Sequence, residues 1–127
     1  MTNPAALTLG DPLDLDDARK ASRAVAEQAK MAIDDLKGWG ESFAKAERDY
    51  RKALAVKAAE LRGQGHPATL VRDLARGDEH VATLCCDRDN AATMMDVCKE
   101  RLRMIDGQRA ALRQLVEWSR RYDERAA

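Results

Sequence analysis

The sequence predicts an all-α chain: a long antiparallel helical hairpin with a short connecting helix and a C-terminal helix built on heptads. Three observations carry this. The first is a seam near the C-terminus in two seven-residue rows. One row reads Val81, Arg88, Met95, Leu102, Arg109, Val116; the other reads Leu84, Ala91, Cys98, Ile105, Leu112, Ser119. Alternating steps of three and four place both rows on one narrow helical stripe, and a strict seven-residue period implies a supercoiled partner. The second is composition. Charged residues make up 35% and aromatics 4% of 127 residues, a profile of long helices rather than of a thick globular core. The third is punctuation: glycine and proline concentrate at 63–67 and again at Gly77, where a hairpin would turn.

Residues 1–10 are small and aperiodic and read as a flexible arm. Residues 11–127 then form a single helical domain. Asp11, Pro12 and Asp14 read as a helix start, with an acceptor at the cap, proline at the first position and a carboxylate in the first turn. The N-terminal helical arm covers 11–62. Its first part turns Leu15, Ala18, Ser22, Val25, Ala29, Ala32 and Leu36 inward, with Ile33 beside them. Gly38-Trp39-Gly40 predicts a kink or short break near 38–40, since each glycine costs about 1 kcal/mol in a helix interior. Beyond it, Phe43, Ala46, Tyr50, Ala53, Leu54 and Leu61 face inward. Residues 63–77 are the turn with a short helix from Pro67 to Arg76, one face of which carries Leu70, Val71 and Leu74, with Gly77 as its C-terminal glycine. Asp78 caps the long C-terminal helix, 78–125.

The chain has zero formal net charge, but the charge is segregated. Residues 45–76 hold eight bases against four acids, whereas 77–98 hold one base against five acids. The basic block is the natural contact for a polyanion. No apolar run is long enough for a membrane span, and the N-terminus lacks the basic and apolar regions of a signal peptide. Three cysteines, Cys85, Cys86 and Cys98, are an odd number and read as reduced thiols, so a cytoplasmic location is expected. Cys85, Cys86 and His80 lack zinc-site spacing. The acids Asp14, Asp16 and Asp17 belong to a helix start. With no nucleophile–base pair, phosphate loop or metal motif, neither an enzyme nor a cofactor is expected.

Leu54-Ala55-Val56-Lys57-Ala58-Ala59-Glu60-Leu61 before Gly63-Gln64-Gly65 resembles the Lys-Ala-Arg-Leu segment and glycine-rich turn of the UvsY-like family of phage recombination mediators. Ala59 and Glu60 stand where its arginine would be, with Arg62 nearby. Residues 74–81 look like its junction before the last helix, and the spacing of Cys98, Ile105, Gly107 and Val116-Glu117-Trp118 is shared. The resemblance covers 50–122. It implies a non-enzymatic homo-oligomer, a ring formed through C-terminal helices. Such a protein binds single-stranded DNA and helps load a RecA-type recombinase in place of single-strand binding protein, in the bacterial host cytoplasm if phage or prophage encoded.

The residues accommodate that reading. Lys45, Arg48, Arg51, Lys52, Lys57, Arg62, Arg72 and Arg76 are the expected phosphate contacts, and Tyr50 or Trp39 a stacking face. Val81, Leu84, Met95, Leu102, Ile105, Leu112 and Val116 are the expected assembly seam. Arg88 and Arg109 interrupt that seam. They either pair with acids such as Asp89, Asp96 or Asp106 of a neighbouring copy, or extend their long stems out of it. The alternative function is a phage-encoded helical adaptor or inhibitor that binds another protein and never meets nucleic acid. On that view the basic block is a solvated helix face with Glu47 and Asp49 interleaved.

Overall fold

A computed structural model describes residues 14–126; the expected arm at 1–10 and the Asp11-Pro12 start lie outside the described residues. The fold is all-α. Three helices follow in order: α1 (Leu15–Gly63), α2 (Ala68–Gly77) and α3 (Glu79–Ala126). Among the described residues none of them is long and apolar enough to cross a membrane.

Asp14 is the residue that caps α1. Its carbonyl accepts from the Ala18 N–H at 2.8 Å and its carboxylate from the Asp16 N–H at 3.4 Å. Asp16 and Asp17 then sit in the first turn, where the helix dipole favours them.

A kink or short break is expected at Gly38-Trp39-Gly40, and a break does not occur: α1 continues through it as one helix. The reason is register. Leu36, Trp39, Phe43, Ala46, Tyr50 and Ala53 follow one another at steps of three and four, and all are buried or half-buried. Packing along that stripe outweighs the glycine penalty, because helix stability in proteins comes mostly from a buried face.

The end of α1 is a Schellman turn. Gly65 takes a left-handed φ of 86°, its N–H donates to the Arg62 carbonyl at 3.1 Å, and the His66 N–H reaches back to Leu61 at 3.2 Å. Only glycine adopts that φ without strain. Pro67 precedes α2 with no side-chain cap. Gly77 is the C-terminal glycine of α2, as expected, but without a left-handed φ. It stays helical, and extended Asp78 ends α2 by donating its N–H to Ala75 at 3.2 Å. Asp78 also starts α3, accepting from Ala82 on its carbonyl and from the Val81 N–H on its carboxylate at 3.2 Å.

The chain divides into two compact units. One is Ala32–Glu100, containing part of α1, all of α2 and the start of α3. Its core is Leu61, Val71 and Ala75, with Leu54 and Ala58 packed against them. Val71 and Ala75, not Leu70 and Leu74, form the inner face of α2; the two leucines are about half exposed. The α1 and α3 segments run antiparallel here. Lys57 meets Asp78, Glu47 meets Arg88, and Gly40 approaches Met95.

The other unit pairs residues 14–31 with 101–126. Ala18, Ala29, Ile105 and Ser119 are buried there, mostly small side chains that let two helices approach closely. Ser22 lines a shallow groove with Arg109, Leu112, Arg113 and Val116, and is exposed rather than inward-facing. Ile33, in the first unit, is also exposed, at 54%.

The heptad rows hold as a buried stripe. Val81, Ala91, Cys98, Ile105 and Ser119 are buried, and Leu84, Arg88, Met95, Leu102, Leu112 and Val116 are half-buried. A single chain thus meets most of the burial that the heptads demand, and neighbouring copies are not required to explain them. Arg109 is exposed, as an outward-reaching stem would be.

Candidate nucleic-acid interface

In the unit Ala32–Glu100, α1 presents two flanks of opposite electrostatic character. On one, two adjoining grooves of about 440 and 570 Å³ lie along α1 and α2. Arg51, Arg62, Arg72, Arg76 and Arg88 line them, with Glu47 as the sole carboxylate among the described lining residues. The floor is apolar: Leu54, Ala55, Ala58, Ala68 and Val71.

Helical spacing explains how the sequence builds this flank. Arg72 and Arg76 are one turn apart on α2, beside the buried Val71 and Ala75. Docking that buried face onto Leu54, Ala58 and Leu61 brings the two arginines over Arg51 and Arg62 of α1. Arg62, Arg72 and Arg76 form no ion pair among the described residues. Arg51 donates its Nε to Glu47 at 2.8 Å and remains largely exposed.

The other flank holds Asp49, Lys52, Lys57, Glu60, Asp78 and His80 around a groove of about 570 Å³. Three carboxylates balance its cations. Lys57 lies 3.6 Å from Glu60 and 3.5 Å from Asp78. Asp78 titrates below the ordinary aspartate range. The Val81 N–H bond is the chief cause, opposed by burial and aided by Lys57 and the His80 N–H.

The eight basic residues expected on DNA are therefore not one track. Arg51, Arg62, Arg72 and Arg76 share a flank; Lys52 and Lys57 sit on the opposite one among carboxylates. Lys45 and Arg48 are exposed and line neither, and Arg48 is 3.6 Å from Asp49. Tyr50 offers no stacking face. It is buried, and the Arg88 guanidinium covers its ring at 4.5 Å.

Arg88 is the member of this site that sequence reasoning placed elsewhere. It bonds Asp89 at 3.1 Å and Glu47 at 3.3 Å, both in its own chain, and its Nη2 contacts the Cys85 sulfur at 3.5 Å. It therefore ties α3 to α1 instead of waiting for a neighbouring copy. Burial lowers its pKa. The Asp89 bond and the neighbouring Asp89 and Glu47 carboxylates more than offset that, so the guanidinium stays charged. The signal was available: stepping equally far back along α1 and forward along α3 from Lys57 and Asp78 lands on Glu47 and Arg88. Cys98 is buried and Cys85 half-buried, while Cys86 is exposed.

No family model matches this chain. No curated protein or solved structure matches it either.

Proposed function

We propose that the protein is a non-catalytic, single-stranded-DNA-binding accessory factor, and that its arginine flank is the binding surface. One observation carries this reading: five guanidinium groups converge on adjoining grooves that contain a single carboxylate. Guanidinium forks match phosphate oxygens, and grooves lined by one sign of charge concentrate a polyanion. The apolar floor of Leu54, Ala58 and Val71 gives unpaired bases a place to lie that a rigid duplex cannot use as well. With Tyr50 covered, binding is phosphate-led and indifferent to sequence.

A role in recombination, loading a RecA-type recombinase where single-strand binding protein would sit, follows from the sequence resemblance alone. Homo-oligomerisation belongs to the same reading. It would multiply a modest per-copy affinity, since linked sites bind far more tightly than separate ones.

The experiment is anisotropy of a labelled oligonucleotide across a salt series. Engagement of four arginines gives a slope of log affinity against log salt of about −3. Absence of binding at low salt refutes the proposal, and so does a slope unchanged by Arg72→Glu with Arg76→Glu.

A further inference from the structure

Among the described residues, the α3 helix carries a second apolar stripe that stays exposed. Met104, Ala111 and Trp118 recur every seven residues, and Leu115 and Tyr122 lie three or four residues from them. Met104 is 65% exposed, Leu115 50%, Trp118 43% and Tyr122 50%. Successive residues turn about 100° around a helix, so this stripe is distinct from the buried Ile105 and Ser119 on the same segment. Two of its rings meet: Trp118 and Tyr122 stack with centroids 5.7 Å apart. Exposed aliphatic and aromatic side chains at alternating three- and four-residue steps are complementary to another helix.

The charges beside the stripe select the kind of helix. Arg121 and Arg125 each stand one turn beyond an aromatic, at Trp118 and Tyr122. The acids Asp106, Glu117 and Glu124 project more than about 130° away from the middle of the stripe and Asp123 about 110° away, whereas Arg125 lies within about 50° and Arg121 within about 90° of it. Arg121 does lie 3.9 Å from Glu117, but both are mostly exposed, and such a solvated pair holds little charge back from a partner. A second copy fits poorly. Parallel pairing sets Arg121 and Arg125 against themselves, and antiparallel pairing about Ala111 and Leu115 brings Arg125 to Arg101. Nucleic acid would use the aromatics and arginines but leave Met104 and Leu115 without a function.

We infer that this face docks an acidic amphipathic helix of another protein, with apolar side chains against Leu115, Trp118 and Tyr122 and carboxylates against Arg121 and Arg125. The surface lies outside the arginine flank of Ala32–Glu100 and stands or falls independently of DNA binding.

The test uses the full chain with Trp39→Phe, so that Trp118 alone reports. The probes are two synthetic helical peptides with the same leucine core, one flanked by glutamates and one by lysines. The glutamate peptide should shift Trp118 emission and bind about tenfold or more tightly than its lysine twin. Arg121→Glu with Arg125→Glu should reverse that preference while leaving helix content unchanged. Leu115→Asp should abolish binding of the labelled peptide. Equal binding of the twins, or none, overturns the inference. So does an oligomer in sedimentation that Leu115→Asp dissolves, which assigns the face to a second copy. Quenching of Trp118 by an oligonucleotide with no response to either peptide assigns it to nucleic acid.

Discussion

The two flanks of α1 in Ala32–Glu100 draw on the same basic block of sequence yet differ in what their cations can do. On the α3 side, Lys57 sits between Glu60 and Asp78 and is spent on the fold. On the α2 side, Arg62, Arg72 and Arg76 line a groove with no ion pair among the described residues. Counting bases along the chain does not separate these cases. What separates them is which carboxylates the hairpin brings opposite. A cation facing α3 meets the acids at its start; a cation facing α2 meets mostly arginine.

The sharpest way to break this contrast is charge reversal on each side. Arg72→Glu with Arg76→Glu should lower single-stranded DNA affinity about 100-fold, near 2.7 kcal/mol, because two phosphate contacts become repulsions. Lys52→Glu on the other flank should change it less than about threefold. Oligonucleotide anisotropy measures both. Equal losses would show that binding follows net charge and that the grooves play no part.

Both flanks hang on an unbroken α1, which the glycines test. A Cβ at Gly38 meets nothing within 4 Å, and at Gly40 it makes ordinary contact with Met95 at 3.9 Å. Alanine at both should stabilise the chain by about 2 kcal/mol, visible as a higher urea midpoint. Destabilisation would show that the helix bends there in solution.

Arg88 reaches from α3 into the arginine groove and ties α3 to α1. Arg88→Met removes the bond to Glu47 and the cover over Tyr50, but keeps an apolar stem. The pair is about a quarter exposed on each side, so a loss of about 1 kcal/mol in urea unfolding is expected. A double-mutant cycle with Glu47→Gln isolates the cross-helix part.

Much of the fold was legible because period and punctuation agree. The heptads from Val81 to Ser119 lie buried or half-buried except at Arg109, and the Gly63–Pro67 stretch is the turn. Local penalties mislead where register decides: Trp39 continues the stripe from Leu36 to Phe43 through the two glycines. On the short helix, the face expected to carry Leu70, Val71 and Leu74 is narrower, and close approach of α2 favours Val71 and Ala75. The basic block was visible in sequence. Its division into a flank balanced by carboxylates and a flank rich in arginine was not, because that depends on which residues of α2 and α3 lie opposite each side of α1.

The smallest effect concerns the closed flank, and it has a definite sign with pH. Asp78 has a folded pKa below its ordinary value, so the unfolded chain takes up its proton first as pH falls. Its stabilising contribution is complete above the unfolded pKa, near 3.8, and is lost as pH drops through the folded value. What is lost is the charged acceptor for the Val81 N–H and the partner of Lys57. Asp78→Asn keeps an oxygen that can still cap α3 but removes the titration. The variant should therefore show a smaller drop in melting temperature than the parent between pH 5 and pH 2.5, while helix content at neutral pH is retained. Parallel acid profiles for the two would mean that the Asp78 carboxylate holds neither the Val81 N–H nor Lys57 in solution.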